Sequence, residues 1–311
     1  MSRTASAAVN YTLTNYAKGL SNDLMSAREL INALVPIVQV SGASGQYKAF
    51  SDINSFQTYR TLRGMGGLAR RMEFEASDES FVCRPHALEI TVDDYERELS
   101  TGSLSNILLD EAKIKAVVSS AVLSHAFDAV TFVAANTTAV ASRGDWTDAT
   151  VDPIDEIDEQ IINLMTVTGG FMPITVTMGL TAWAKLRKNA KVKARRDAIQ
   201  IGDISQGQLS GLFIQPARVV VGNLSYNTSK PGNPAINKVQ MMTDIVYISA
   251  SLPNPTIYDP SPFKAFTTGS GGIESVRTYR SEENRADVHA VDWCVVFKLT
   301  SAASIIRLNI T

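Results

Sequence analysis

Side chains that could support metal or acid–base chemistry are few and scattered in this sequence. The chain has two cysteines and three histidines, whereas a structural zinc site takes four ligands. Cys83 and His86 have a spacing that metal ligands use, but they are two ligands and not four. His289 lies between two aspartates and could take part in an acid–base pair, although a histidine on the face of a strand is the simpler interpretation. We therefore expect no metal site, and we interpret His125 as a core or interface residue of a helix.

The glycine-rich segments and acid pairs give no catalytic motif. Gly64–Ala69 matches the string G-x-G-x-x-A, but dinucleotide binding needs a strand before it and a helix after it, and Arg60–Arg63 is not a core strand. Gly42–Lys48 lacks the ending of a phosphate-binding loop, and no G-x-S-x-G nucleophile motif exists. Asp93-Asp94 and Asp155-Glu156 are ordinary pairs for loops and helix starts. The sequence predicts no enzyme and no cofactor.

Two segments of opposite charge are the strongest candidates for a binding surface. Residues 73–98 carry nine acids and two arginines, and residues 185–196 carry seven cations and no acid. Opposite patches can guide the docking of one subunit on another. Two alternatives stay open: a solvated helix face that only confers solubility, and contact of the cations with DNA. The candidate intersubunit contacts are Glu73, Glu75, Asp78, Glu79, Asp93, Asp94, Lys185, Arg187, Lys188, Lys191, Lys193, Arg195 and Arg196.

The composition limits the classes of protein to which the chain can belong. A chain of 311 residues has room for one large domain or two modest ones with a substantial core. The formal net charge of −2 excludes a global excess that would drive binding to nucleic acid or acidic lipid. Two cysteines do not make a disulfide framework, and the polar N-terminus has no apolar signal core. These features predict folding in a reducing cytoplasm without secretion.

The first hundred residues contain two segments that lack a core of their own. Residues 1–34 have a modest helical pattern and few apolar residues, which predicts an arm that packs on another surface. Residues 35–50 look extended. Met72–Glu75 and His86–Val92 are strand-like, and an acidic two-stranded hairpin cannot bury itself in water. We expect both the arm and this hairpin to be held by identical copies of the chain.

Residues 104–136 have the strongest helical pattern. At 1.5 Å per residue, a continuous helix of this length would span about 50 Å. Because its second half carries a single formal charge, we expect it to be covered on most sides. A membrane span over residues 116–135 is the alternative, but lipid would penalise His125 and Asp128. A buried helix is therefore the preferred interpretation.

The remaining chain alternates helices and strands, which predicts a mixed α+β fold. Asp152 is the expected cap of a helix that has Pro153 at its first position and ends at Gly169. The other predicted elements are a strand at 173–178, a helix at 181–196, strands at 218–222 and 239–250, an exposed loop at 223–238, and strands at 288–299 and 306–310.

The order of these parts resembles the major capsid proteins of tailed bacteriophages, which have the Hong Kong 97-type fold. Leu34–Gly42 with Tyr47-Lys48 resembles the junction between arm and extended loop in one branch of that family. Val219–Asn223 with Tyr226–Thr228 resembles a strand and loop of the axial domain. Tyr279–Val288 resembles a late strand segment. The resemblance implies an α+β fold with an N-terminal arm, an extended loop, a spine helix, and peripheral and axial domains.

By this resemblance the chain divides into five parts. They are an N-terminal arm at 1–59, an extended loop hairpin at 60–102, the spine helix and peripheral domain at 103–151, an axial domain at 152–262, and C-terminal strands returning to the peripheral domain at 263–311. In this family the axial domains cluster at the centres of hexamers and pentamers. Arms and extended loops overlap adjacent subunits.

The resemblance implies a non-enzymatic major capsid protein that self-assembles as hexamers and pentamers into an icosahedral head. The implied partners are other copies of the chain, scaffold, portal and decoration proteins, and packaged double-stranded DNA by non-specific contact. No membrane partner is expected. The implied location is the virion, after assembly in the host bacterial cytoplasm. The alternatives are an encapsulin-like nanocompartment shell, a type that lacks a prominent N-terminal arm, and a soluble α+β enzyme.

One feature departs from the type member of that family, which joins a lysine of the extended loop to an asparagine of a neighbour. Residues 60–102 contain six arginines and no lysine. Arginine stays protonated and is a poor nucleophile. The sequence therefore predicts a shell without this covalent crosslink.

Overall fold

A computed structural model describes residues 8–50, 58, 61–71, 76–100, 103–199, 205–229, 235–268 and 275–310, and the structural statements below concern these residues. The helices are α1 (Tyr11–Asp23), α2 (Met25–Leu34), α3 (Asp94–Leu99), α4 (Ser103–Ala135), α5 (Pro153–Thr168), α6 (Leu180–Lys188), α7 (Ala190–Ile199) and α8 (Gln206–Ser210). The strands are β1 (Ala8–Val9), β2 (Ile37–Gln39), β3 (Ser44–Phe50), β4 (Ala76–Val82), β5 (Arg84–Asp93), β6 (Ala139–Ala141), β7 (Ile174–Gly179), β8 (Arg218–Gly222), β9 (Ser225–Asn227), β10 (Lys238–Gln240), β11 (Ile245–Ala250), β12 (Phe263–Thr267), β13 (Ser275–Ser281), β14 (Ala286–Leu299) and β15 (Ile305–Asn309).

A six-stranded sheet forms one half of the fold, in the order β1-β13-β14-β12-β2 with β5 also paired to β14. The long strand β14 organises this sheet, because β5 pairs with Ala286–Val295 and β12 pairs with Val295–Leu299. Alternate β14 side chains, including Val291, Trp293 and Val295, join the buried face of α4 in one hydrophobic cluster. This cluster is called the first core below.

The predicted long helix is confirmed as α4, with each end within one residue of expectation. Ile114, Val118 and Val133 lie in the first core. The expectation that α4 is covered on most sides is wrong, because only half of its most apolar stretch is buried. By length and composition alone, Ile107–Ala135 could also cross a membrane. Its buried half packs against the first sheet as the core helix of a globular domain does.

A five-stranded sheet in the order β6-β15-β11-β7-β8 forms the other half of the fold. β7 runs antiparallel to β11 and parallel to β8. Side chains of α5, α6 and α7 cover it in a separate hydrophobic cluster, called the second core below. The start of α5 is confirmed, because Asp152 Oδ1 accepts a hydrogen bond from the Ile154 N–H at 3.1 Å, and Gly169 ends the helix with a φ of 66°. Two mixed layers of helices and strands make this an α+β fold.

The expectation that only another copy could hold the acidic hairpin is wrong for its described residues. β4 pairs with β3 over seven residues and β5 pairs with β14 over ten, so the two segments have separate partners in their own chain. The physical reason is the burial of apolar side chains. Leu88 and Ile90 of β5 pack against the first core, whereas an isolated two-stranded hairpin would leave them in water. Met72–Glu75 lie outside the described residues.

The N-terminal segment also packs on its own chain, contrary to expectation. Ala17 of α1 and Leu30 and Leu34 of α2 are buried in the first core. These helices have too few apolar residues for an independent core. They are stable here because they add their apolar faces to a core that α4 and the first sheet already build.

The C-terminal strands do not all return to the first sheet. β12, β13 and β14 do so, but β15 lies between β6 and β11, and its Leu308 is buried in the second core. Trp146 also belongs to the second core. Residues 263–311 and 103–151 therefore each contribute to both halves of the fold. The loop expected at 223–238 contains the hairpin β9–β10.

Candidate functional site

The candidate metal ligands are not brought together. Cys83 Sγ donates to the Phe266 carbonyl at 3.4 Å. His86 instead stacks on the Trp293 ring, with 5.5 Å between ring centroids. Within the described ranges, no three His, Cys, Asp or Glu side chains are grouped so that they could hold a metal ion.

The two buried histidines have structural surroundings. His289 Nε2 lies 3.4 Å from Asp110 Oδ1, and its Nδ1 lies 3.3 Å from the Thr278 hydroxyl. His125 packs against Phe297 in the first half of the fold, and its Nε2 has no hydrogen-bond partner in the described part of the chain. Burial, together with positive charge on the nearby Arg28 and His86, lowers the pKa of His125 to about 4. These surroundings agree with a core position for His125 and with a strand-face position for His289.

The glycine-rich string forms an exposed turn and no nucleotide site. The Gly67 N–H donates to the Gly64 carbonyl at 3.0 Å, and Arg63 Nη1 donates to the Gly67 carbonyl at 2.8 Å. Within residues 61–71 the string opens no helix. The helix N-terminus that would bind a pyrophosphate is therefore lacking there.

The predicted acidic contacts that the structure describes have partners in their own chain. Asp78 pairs with Lys48 at 2.6 Å. Glu79 accepts a hydrogen bond from the Tyr47 hydroxyl at 2.6 Å, and burial together with this bond raises the pKa of Tyr47. Two further predicted contacts, Glu73 and Glu75, lie outside the described residues.

Asp93 and Asp94 hold the short helix α3 in place. Asp93 caps it by accepting a hydrogen bond from the Tyr95 N–H at 2.7 Å. The two terminal nitrogens of Arg280 contact the two carboxylate oxygens of Asp94 at 2.6 and 2.5 Å. This charge-assisted pairing lowers the pKa of Asp94 and raises the pKa of Arg280.

Further ion pairs join α3 to the first turns of α4. Arg97 Nη2 lies 2.9 Å from Asp110 and 3.1 Å from Asp287 of β14. Lys113 of α4 lies 2.8 Å from Glu96. These ion pairs therefore connect α3 to α4 and to β14.

Two of the predicted cations are paired within the second half of the fold. Lys185 lies 3.2 Å from Asp244. Arg195 lies 2.8 Å from Asp152 and 2.6 Å from Asp155. These pairs tie α6 and α7 to neighbouring elements, so the charges are partly neutralised before any second molecule arrives.

The other predicted cations differ in their surroundings. Lys191 Nζ donates to the Thr150 carbonyl at 2.6 Å, and the Arg187 guanidinium lies 5.8 Å from the centroid of the Trp183 ring. Lys188 and Lys193 are exposed. The Arg196 side chain lies outside the described residues. Docking of the cationic segment on the acidic segment therefore stays a prediction. Ion pairs within the chain leave fewer charges for such docking than the sequence indicated.

An exposed loop carries apolar residues that the sequence did not single out. In residues 61–71, called the basic loop below, Leu62, Met65 and Leu68 are each at least 84% exposed. The segment contains three arginines and no acid. The signal in the sequence was an apolar residue at every third position between glycines and arginines.

Other exposed apolar residues lie on α3 and on the first turns of α4. Tyr95, Leu99, Ile107 and Leu108 are each at least 57% exposed. The name acidic patch is used below for these four residues together with Glu98 and Glu111 of the same two helices. Sequence reasoning missed it because apolar residues in a helical pattern are normally assigned to a core.

A cleft of about 280 Å³ separates α4 from the hairpin β9–β10. The Phe127 and Tyr226 rings meet across it with 4.8 Å between centroids. The residues that line it are Leu123, Ser124, Phe127, Asp128, Tyr226 and Met241. One carboxylate without a histidine or second acid beside it does not form an acid–base pair.

Comparison with known proteins gives matches at the level of structure. No protein-family model matches the chain, and a search of curated proteins finds no match. A phage-related protein from Bordetella bronchiseptica is 17% identical, covers 98% of both chains and superposes with a TM-score of 0.73.

Two further solved structures match with a TM-score of 0.50 each. The capsid of Cyanophage P-SCSP1u is 9% identical over 100% of this chain and 90% of that chain. An encapsulin complex from Synechococcus elongatus is 10% identical over 99% of this chain and 92% of that chain. The matched structures and the element order agree: the chain has the Hong Kong 97-type capsid fold.

Proposed function

We propose that the chain is the major capsid protein of a tailed double-stranded DNA bacteriophage, assembling as hexamers and pentamers into an icosahedral head. The observation that carries this proposal is the fold, which is shared along nearly the whole chain with a phage-related protein and a phage capsid. The proposal assigns the chain no catalytic role and no cofactor.

The exposed surfaces support a protein that associates with copies of itself. Soluble monomers rarely leave large apolar patches in water, and such patches mark interaction sites. The basic loop and the acidic patch each expose several large apolar side chains. Many moderate interfaces per subunit would give a shell its strength without one very large contact.

Electron microscopy of the full chain tests the proposal. The protein would be expressed in bacteria with and without the products of neighbouring genes, which would include a scaffold protein. We expect shells, or free hexamers and pentamers, in negative stain and in light scattering. A monodisperse monomer under every one of these conditions would contradict the proposal.

An encapsulin-like compartment is the second candidate, favoured by the likeness to an encapsulin complex over 99% of this chain. The contents of purified particles distinguish the two. Nuclease-protected DNA in particles made during phage growth supports the capsid, whereas a packaged enzyme without DNA supports the compartment. The further partners proposed for the capsid are portal and decoration proteins, and the exposed Lys188 and Lys193 are available for non-specific contact with DNA.

A further inference from the structure

The cleft between α4 and the hairpin β9–β10 combines two aromatic rings with a free carboxylate. The Phe127 ring contacts the Tyr226 ring, and Asp128 follows Phe127 in the lining. Asp128 is exposed and forms no ion pair or hydrogen bond within the described part of the chain. Leu123 and Met241 add aliphatic surface to the lining. The cleft therefore offers a partner for a cation beside surfaces that suit an aliphatic stem.

The walls of the cleft are anchored in the first core. Leu224, which precedes β9, packs against that core, and Met242, which follows β10, is buried in it. The Met241 N–H donates to the Leu224 carbonyl at 2.9 Å and so closes the base of the hairpin. The cleft is thus formed before any ligand arrives, which lowers the cost of ordering its lining on binding.

The surface of α4 that leads into the cleft is not typical of a helix face in water. Exposed residues recur there at every fourth position, namely Ala112, Ala116, Ser120, Ser124 and Asp128. Between residues 116 and 135, Asp128 carries the only formal charge. A helix side that faces solvent normally carries several charged residues. This face is therefore suited to being covered by another molecule.

We propose that the cleft receives an arginine side chain from a segment of a second protein, in which small or apolar residues flank that arginine. A guanidinium stacks on aromatic rings and pairs with a carboxylate through two N–H groups, whereas a lysine ammonium is a compact point charge. The aliphatic stem of the arginine lies against Leu123 and Met241, and the flanking residues cover the uncharged face of α4. The carboxylate of Asp128 repels phosphates, which disfavours nucleic acid as the occupant.

The size of the cleft favours a partner that binds reversibly over a permanent contact between copies of the chain. One side chain in a cleft of about 280 Å³ buries far less surface than the roughly 1,200 Å² of a stable interface. A single contact is therefore weak. The inference rests on the proposed function in this respect, since a shell repeats the cleft in every copy and lets weak contacts with a multivalent partner add up.

Binding of a fluorescent peptide to unassembled subunits tests the cleft. The probe is a short capped peptide of alanine and leucine with one central arginine, and its analogue contains citrulline, which keeps the shape without the charge. In fluorescence anisotropy, we expect the arginine peptide to bind roughly tenfold more tightly than the analogue, as a charge-assisted pair requires. That difference should vanish in Asp128→Asn.

Glu283→Gln is the matched control for the loss of charge. It removes an exposed carboxylate from the turn between β13 and β14 and should leave both affinities as in the wild type. Equal affinities of the wild type for the two peptides, or the same loss in Glu283→Gln as in Asp128→Asn, overturn the inference.

Filling the cleft gives an independent readout. Ser124→Phe places a ring in the cleft and should weaken binding of the arginine peptide although Asp128 is intact. Thr166→Phe is its control, because Thr166 is an exposed residue of α5 whose hydroxyl, like that of Ser124, donates to the carbonyl one helical turn earlier. Undiminished binding to Ser124→Phe overturns the inference.

The assembled state distinguishes a second protein from a neighbouring copy. Empty shells should bind the arginine peptide as unassembled subunits do. Shells that no longer bind it would assign the cleft to a contact between copies and overturn the choice of occupant. Subunits that bind the peptide at the cleft but form no shell under any condition would support the cleft and contradict the proposed function.

Discussion

At the scale of single residues, buried His125 makes the stability of the fold depend on pH. Its pKa is lowered to about 4 in the folded chain, against an ordinary value of 6.5. Between these values the unfolded chain binds a proton that the folded chain does not, so the free energy of unfolding falls as the pH decreases from 6.5 toward 4. The full difference corresponds to roughly 3 kcal/mol.

Urea unfolding of unassembled subunits at several pH values between 7 and 4 measures this loss. His125→Phe keeps an aromatic ring beside Phe297 but cannot titrate. As the pH decreases, the free energy of unfolding of the wild type should therefore fall more than that of the variant. Parallel pH profiles for the two proteins would show that another group is responsible.

Asn189 organises a loop of the second half from the inside. It is buried, and its Nδ2 donates to the carbonyls of Trp146, Asp148 and Val151 at 2.9, 3.1 and 3.1 Å. Its Oδ1 accepts a hydrogen bond from the Lys191 N–H at 2.9 Å. Asn189→Ala removes the partner of the buried Trp146 carbonyl and of three partly buried backbone groups, and we expect the free energy of unfolding to fall by about 2–3 kcal/mol.

The neighbouring Lys188 provides the control for that measurement. Its side chain is exposed, so Lys188→Ala should change the free energy of unfolding in urea by less than about 0.5 kcal/mol. Equal effects of the two substitutions would mean that the hydrogen bonds of Asn189 do not stabilise the loop.

At the scale of elements, the turn from β7 into α6 requires a glycine. A Cβ atom on Gly179 would lie 1.8 Å from the Thr243 carbonyl oxygen, which is a backbone atom that cannot rotate away. Gly179→Ala must push the turn away from that backbone, and we expect it to lower the free energy of unfolding by about 3 kcal/mol. Gly207→Ala in α8 meets nothing within 4 Å and should be neutral or slightly stabilising. Thermal unfolding of the two variants checks the contrast, and similar melting temperatures would contradict it.

The elements that could be predicted from the sequence are those that local pattern defines. α4 and α5 follow from helical spacing and from the cap at Asp152, and β7 follows from a short apolar run. The partner of β5 could not be predicted, because it pairs with a strand about two hundred residues away. Adjacent strands usually pair, and that tendency led to the prediction of a hairpin and not of the pairing with β14. An alternating pattern identified β15 as a strand but could not say which sheet it joins.

The candidate site was less predictable, because a sequence shows which residues are charged but does not show which of them form ion pairs in the folded chain. Lys185 and Arg195 looked available for a second molecule, but Asp244, Asp152 and Asp155 already bind them. The sequence analysis did not single out the three apolar residues of the basic loop, because their exposure depends on how the rest of the described fold leaves them uncovered.

At the scale of the whole molecule, we expect the assembled shell to contain no covalent crosslink through the extended loop. Residues 60–102 contain no lysine, and a protonated arginine does not attack an amide. Mature particles boiled in detergent should therefore run as monomers on a denaturing gel. Particles treated with glutaraldehyde provide the positive control for multimers. Covalent multimers in untreated particles would show that another nucleophile joins the subunits.

The position of β15 makes the second sheet depend on segments that lie far apart in the sequence. This strand lies between β6 and β11, so β6 has its neighbour in the sheet only when residues 305–309 are in place. A chain from which these residues are deleted would leave the backbone of Ile248 and its neighbours without partners along one edge of β11. Such a chain could not complete the second half of the fold, and proteases would cleave it more readily than the intact protein.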